Sequence, residues 1–281
     1  AMHRAAPPFA EARDDYEIFS APAQRLGVDE QFTERRSPRD WLRHIYQPTR
    51  RALLERGAHA PDFDEFWEGG ELILPTLPSD GGIVRAFRRN PETAPLPTPS
   101  GKVEIASATI AGFGYEDCPG HPAWRPPIEG AGAPRATRFP LQLIANQPAT
   151  RLHSQLDFGA TSQASKIKGR EPVRIHPQDA ARRGIRDGNV VRLYNDRGAC
   201  LAAAVLSEEL LPGVVQLSTG AWYDPEDPGA DKPICVHGNP NVLTRDAGTS
   251  KLAQGCTGQL TLVEIERFDG PLPPVKAFDP P

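Results

Sequence analysis

The second half of this chain is broken into six short runs of branched and apolar residues, each bounded by turn formers. They are Leu141 to Ala145, Pro172 to Ile175, Val190 to Tyr194, Cys200 to Leu206, Val214 to Leu217 and Gln259 to Ile265. Runs of this length and composition read as strands. A single short amphipathic helix, Pro177 to Arg183, closed by Gly184, is predicted between the second and the third. Six strands with one intervening helix point to a small closed β-barrel, because closure removes the unprotected edges of a sheet. Glycine (25) and proline (31) make up a fifth of the 281 residues, which supplies turns and excludes a long-helix bundle. No internal repeat recurs at a fixed period.

The first third reads as helical. Apolar residues recur at helical spacing from Glu11 to Leu26, with Gly27 as the stop. Ser37-Pro38 pairs an N-cap with the favoured first-turn proline, opening a helix through Trp41, Leu42, Ile45 and Tyr46 that Pro48 is expected to kink or end. A shorter helix is predicted after Pro61-Asp62, ending at Gly69-Gly70. Ile83 to Phe87 and Lys102 to Ile105 are strand candidates, and Pro91, Pro95, Pro97 and Pro99 suggest an extended connector. The expected organisation is an α-rich segment over residues 1–95, a Pro/Gly-rich connector over 96–135 and the barrel over 136–281. The fold class is mixed α and β.

Composition narrows the function. Thirty-two basic and 36 acidic residues give a net charge of −4, so no basic field draws the chain to nucleic acid or an anionic membrane. No apolar run approaches the roughly 20 residues of a bilayer span, and Ala1-Met2-His3-Arg4 leads into polar sequence instead of an apolar targeting segment. The cysteines Cys118, Cys200, Cys235 and Cys256 are too scattered for a zinc or iron–sulfur site and read as small buried thiols. Their sparsity fits the cytoplasm, with the bacterial periplasm as the alternative. No phosphate-binding P-loop and no nucleophile elbow are present, and Gly112-Phe113-Gly114 lacks the third glycine of a dinucleotide fingerprint.

Polar residues concentrate instead at strand-to-loop junctions. The segment Ala145-Asn146-Gln147-Pro148-Ala149-Thr150-Arg151-Leu152-His153-Ser154-Gln155 is rich in donors, suited to a pyrophosphate or the edge of a heterocycle. A solvated loop capping its own backbone is the plainer reading. A second cluster runs from His237 through Asn239-Pro240-Asn241 to Thr244, then Asp246 and Gly248-Thr249-Ser250. A third is Gly255-Cys256-Thr257-Gly258-Gln259, whose glycines permit close approach by a ligand. Asp14-Asp15 reads as an exposed helix-end charge pair, and Lys166, Lys168 and Arg170 as a solvated basic face or the rim of a phosphate site. His153 and Ser154 are neighbours on an extended segment and point to opposite faces, which disfavours a hydrolytic dyad.

Longer strings carry a resemblance. NQPATRLHSQLD (146 to 157), KGREPVRIHPQDAARRGIRDGNVVRLYNDRG (168 to 198), LPGVVQLSTGAWYDP (211 to 225) and HGNPNVLTRDAGTSKLAQGCTGQ (237 to 259) resemble the C-terminal part of molybdopterin oxidoreductases of the dimethyl sulfoxide reductase family. Within it they are most similar to the biotin/methionine sulfoxide and trimethylamine N-oxide reductases. EARDDYEIF (11 to 19), WLRHIYQ (41 to 47) and PDFDEFWEGG (61 to 70) are similar to the stretch before the family's last domain. The resemblance implies that residues 136–281 form a double-psi β-barrel binding a molybdopterin dinucleotide. Residues 1–95 would then be the α-rich end of the preceding catalytic domain. It also implies a longer enzyme whose N-terminal part holds the metal ligand, so no catalytic residue is expected here.

Carried over position by position, the resemblance implies cofactor contacts from Ala145, Asn146, Gln147 and Pro148, a basic contact from Arg151, and polar contacts from His153, Ser154 and Gln155. It adds Asn241, the pair Gly258 and Gln259, and Asp15 toward a guanine edge. The implied cofactor is molybdenum bis(molybdopterin guanine dinucleotide). The implied reaction is two-electron oxygen-atom transfer from a small S-oxide or N-oxide, with water formed. Asn146-Gln147-Pro148 stands where relatives often carry a His-Pro pair, which leaves the oxide open, as is the electron donor. The alternative is a stand-alone double-psi-barrel binding module without catalysis.

Overall fold

The computed structural model describes residues 1–74, 81–255 and 260–279. The chain divides into two units, Ala1–Lys102 and Val103–Pro281.

Five helices are described in the first unit: α1 (Asp15–Arg25), α2 (Asp29–Thr33), α3 (Pro38–Glu55), α4 (Phe63–Gly69) and α5 (Gly82–Arg89). Ser37 and Asp40 form a reciprocal capping box at the start of α3, and Asp62 accepts from Glu65 N at 2.9 Å to cap α4. The two helices meet through aromatic rings, Tyr46 lying parallel to Phe66 with centroids 4.8 Å apart. Of the two outcomes expected at Pro48, a kink or an end, the end does not occur: α3 continues to Glu55. The proline removes one backbone donor, while Tyr46 and Leu53, two turns apart on one face, are both buried across it. The run Ile83 to Phe87 is helical, not extended. Its β-branched residues look strand-like, but no strand is described in this unit to pair with them. Lys102 to Ile105 forms no strand either.

The second unit begins with α6 (Ala108–Gly112) and a 3-10 turn, Pro134–Thr137. Then come β1 (Leu141–Ile144), α7 (Ala160–Ser165), β2 (Pro172–Ile175), α8 (Pro177–Ala181), β3 (Val190–Tyr194), β4 (Ala199–Leu206) and β5 (Val214–Leu217). A second 3-10 turn, Pro240–Val242, precedes β6 (Thr261–Arg267). The strands close into the expected barrel in the order β1-β5-β2-β4-β3-β6. The β1·β5 and β2·β4 pairs are parallel and the others antiparallel. The sixth strand was expected from Gln259, and its first two residues include a position outside the described set.

Alternate residues of the strands fill the interior, among them Leu141, Leu143, Val173, Ile175, Val191, Leu193, Val215, Leu217, Val263 and Ile265. Strand β4 is buried on both faces from Ala199 to Ala204. Cys200, Ala202 and Ala204 face the main core, and Leu201 joins Val190 and Val236 in a second cluster that Phe268 and Val275 cover. Cys200 and Cys235 are buried free thiols, Cys118 is half-buried, and Cys256 lies outside the described residues.

Candidate functional site

Because β1 and β5 run parallel, the segments leaving their C-terminal ends emerge side by side. Thr219 N donates to Asn146 O at 2.9 Å, and Gln216 Nε2 donates to Asn146 Oδ1 at 2.7 Å. Further along, Trp222 Nε1 donates to Ser154 O at 2.8 Å. Gly220, at φ 89°, passes so close that a Cβ there would lie 1.9 Å from His153 O. The 145–157 loop is therefore strapped to the 219–222 segment by backbone contacts that only glycine at 220 allows. His153 and Leu156 themselves adopt positive φ, 51° and 56°. Such conformations cost energy for residues with side chains and persist where the surroundings hold them.

A buried charge network lies beneath this loop. Arg151, which sequence reading reserves for a phosphate, has no solvent-accessible side-chain surface. Its guanidinium donates to His153 O at 3.1 Å, Thr219 O at 2.9 Å, Ser162 Oγ at 3.2 Å and Glu171 Oε1 at 3.2 Å. Lys166 Nζ, expected on a solvated face, bridges Asp157 at 2.9 Å and Glu171 at 2.8 Å. Asp157 also accepts from Ser162 Oγ at 2.8 Å and Trp222 N at 3.1 Å. Burial alone would raise the Asp157 pKa, but hydrogen bonds from Lys166 and Ser162 prevail and hold it below the usual carboxylate range. His237 Nδ1 lies 3.8 Å from Asp157 and 3.0 Å from Trp222 O, and its ring stands edge-on to Phe278. Burial, then Lys166, lowers the His237 pKa, so the ring is neutral. Two cations thus face two carboxylates. Of the expected basic run, Arg170 is also buried and Lys168 is exposed.

Above the network the loop presents polar side chains outward. Gln147, His153, Ser154 and Gln155 are exposed, Asn146 and Pro148 half-buried, and Ala145 buried. Gln147 Nε2 and His153 Nδ1 are 3.1 Å apart, so the imidazole contacts an amide and not Ser154. The side chains of Ser154 and Gln155 have no hydrogen-bond partner among the described residues. Asn241 is exposed on the Pro240–Val242 turn, and its side chain is likewise uncommitted. The cap of that turn is Asn239, whose Oδ1 accepts from Asn241 N at 2.9 Å. Asp15 sits exposed in the first turn of α1, in the other unit. Gly258 and Gln259 lie outside the described residues.

Sequence reasoning missed Asp157, Ser162, Glu171 and the buried role of Lys166. Their signal was weak, since a Lys and a Glu near a loop read as surface residues until tertiary contacts enclose them. Among the described residues, the uncommitted side chains of Ser154, Gln155 and Asn241 are donors and acceptors of the kind that meet a polar heterocycle or phosphate ester.

Residues 141–262 match the Molydopterin dinucleotide binding domain family. The chain is 46% identical over 272 residues to trimethylamine-N-oxide reductase 1 of Escherichia coli (strain K12), covering 96% of this chain and 32% of that protein. It is 42% identical over 282 residues to the dimethyl sulfoxide/trimethylamine N-oxide reductase of Cereibacter sphaeroides, covering 100% of this chain and 34% of that one. The chain thus spans about a third of the length of these curated relatives. Acetylene hydratase from Pelobacter acetylenicus shares the fold, with a TM-score of 0.63 at 18% identity, over 92% of this chain and 33% of that chain. The chain is a homologue of the C-terminal part of the trimethylamine N-oxide and dimethyl sulfoxide reductases of the dimethyl sulfoxide reductase family, and its barrel carries a molybdopterin dinucleotide-binding domain.

Proposed function

We propose that this chain is the cofactor-binding portion of a molybdenum oxidoreductase that reduces small S-oxides or N-oxides, and that its cofactor is the bis(molybdopterin guanine dinucleotide) form. The carrying observation is the 145–157 loop, whose backbone is locked to the 219–222 segment while Gln147, His153, Ser154 and Gln155 stay exposed. This loop falls within the region matched by the dinucleotide-binding family. A donor array with a fixed backbone holds a ligand without losing freedom when the ligand arrives.

In this reading the exposed side chains of the loop and of Asn241 hydrogen-bond the dinucleotide arm, a role the family resemblance implies for Gly258 and Gln259 as well. Asp15 offers a carboxylate to a guanine N1–H and N2–H₂ edge. Arg151 acts from below, holding the carbonyls of His153 and Thr219 in place. The bound molybdenum cofactor supplies the two-electron oxygen-atom chemistry, while this chain binds and orients it. The N-terminal part of a longer polypeptide contributes the metal ligand and the substrate funnel.

The test is expression of the polypeptide with its upstream region in a molybdenum-replete host, followed by assay of metal and released guanine nucleotide. Guanine nucleotide and molybdenum in a two-to-one ratio, with dye-linked reduction of trimethylamine N-oxide or dimethyl sulfoxide, are expected. The 281-residue chain alone should be inactive. Absence of guanine nucleotide from the purified long form, or activity of the chain alone, would refute the proposal.

A further inference from the structure

The Asn241 turn meets the network under Arg151 at one end and has a foundation of its own at the other. It sits in a run, residues 237–243, that is pinned at both ends. At the first end His237 O accepts from Glu171 N at 3.1 Å, and Gly238 packs so tightly that a Cβ there would lie 2.7 Å from the Glu171 Cβ. At the far end the carbonyl of Leu243, a fully buried residue, accepts from Asn195 Nδ2 at 2.8 Å and Arg197 Nε at 2.7 Å. Both donors come from the tight turn between β3 and β4, where Arg197 N also bonds Asn195 Oδ1 at 2.9 Å. Gly198 completes that turn, and a Cβ there would stand 2.7 Å from Val242 O.

The same two side chains reach a third segment. Asn195 Nδ2 also donates to Leu262 O at 3.1 Å, at the start of β6. Arg197 makes a two-pronged pair with Glu129, at 2.7 and 2.9 Å, and Glu129 accepts from Leu262 N at 2.9 Å. Thus both the N–H and the C=O of Leu262 and the C=O of Leu243 are held by three side chains. Glu129 and Asn195 are buried, and a planar guanidinium fork fixes direction as well as distance. None of these residues is exposed as a ligand contact would be, while Asn241, two residues before Leu243, is exposed and its side chain is uncommitted among the described residues.

We infer that Asn195, Arg197 and Glu129 are positioning residues for the Asn241 turn, presetting its side chain relative to the segment that leads into β6. This rests on the cofactor reading above. The arrangement explains why buried Glu129 and Asn195, with half-buried Arg197, converge on the backbone groups of Leu243 and Leu262. A barrel that needed only closure would be served by the strand ladders already present. The clamp does more: it ties a ligand-facing turn to the rigid β3–β4 and β6 strands, so that the turn is set before a ligand arrives.

The experiment uses the full-length holoprotein. It reads the rate of cofactor loss, as guanine nucleotide released over time, and amide hydrogen exchange across residues 237–246. Arg197→Lys keeps the charge and loses the fork, and Asn195→Ala removes the amide and is the milder of the two. Arg197→Lys should raise exchange in 237–246 by about tenfold, the low end of one charge-assisted hydrogen bond, and Asn195→Ala by roughly fivefold, about one neutral hydrogen bond, with β2 and β5 peptides unchanged. Each should also speed cofactor loss. Combined with Asn241→Ala, neither should add to the loss, because the clamp acts through that side chain. Additive losses in the double variants, or exchange rising equally across the barrel, would mean a purely structural role and overturn the inference. Wild-type retention in Asn241→Ala also overturns it, whereas absence of guanine nucleotide from the wild-type protein would defeat the cofactor reading itself.

Discussion

Asp157→Ala probes the charge network under the loop most directly. The carboxylate has no solvent-accessible side-chain surface and lies 2.9 Å from Lys166 and 3.4 Å from Arg151. With Glu171 it balances those two cations, while His237 stays neutral through burial. Alanine at 157 leaves Lys166 and Arg151 sharing one carboxylate, which strands a buried positive charge. Breaking a buried pair in this way costs about 3–5 kcal/mol, because the surviving charge loses its partner without regaining water. At roughly 2–4 °C per kcal/mol for a unit of this size, the melting midpoint should fall by on the order of 10 °C. Calorimetry of the cofactor-free protein measures it. The double variant Asp157→Ala with Lys166→Met removes one charge of each sign and should recover at least about 1 kcal/mol of the loss. A single-variant cost below about 1 kcal/mol, typical of a solvent-screened pair, would refute the reasoning, as would strict additivity in the double variant.

Two further outcomes follow from the same geometry. Gly220→Ala should displace the 145–157 loop, since the added methyl falls 1.9 Å from His153 O and the backbone φ is 89°. Faster hydrogen exchange across residues 147–156 would register it, and unchanged exchange would contradict the strapping. Acid should weaken the barrel with one sign throughout. The unfolded chain protonates His237 more readily than the folded one does, so stability begins to fall below about pH 6.5. Asp157 and Glu129 add to this at lower pH. For each, burial would raise the pKa, but Lys166 and Ser162 at Asp157, and Arg197 and the Leu262 N–H at Glu129, hold it below the ordinary range. Their contribution is complete above the ordinary carboxylate range and lost as pH falls through the lower folded values. Urea midpoints from about pH 8 to about pH 3 that stay flat or rise toward acid would overturn that sign.

Local chemistry in the sequence determined the strands, the caps and the position of the polar loops. Branched apolar runs bounded by turn residues marked the barrel strands, and Ser37-Pro38 and Asp62 marked helix starts, because these signals act over a few residues. Sequence likewise placed polar groups after β1 and around Asn241, since donor-rich junctions stand out beside apolar strands. Tertiary structure decided which of them face outward. Arg151 and Gln155 sit four residues apart in one polar segment, yet one is enclosed by Glu171, Ser162 and two carbonyls and the other is exposed. Lys166 looked like a surface charge until the end of the 145–157 loop and the residue preceding β2 supplied Asp157 and Glu171 around it. Ile83 to Phe87 looked extended, and became helical in a unit where no described strand could pair with it. Burial and charge pairing are set by partners far along the chain, 133 positions apart for Glu129 and Leu262, and no local pattern encodes that distance.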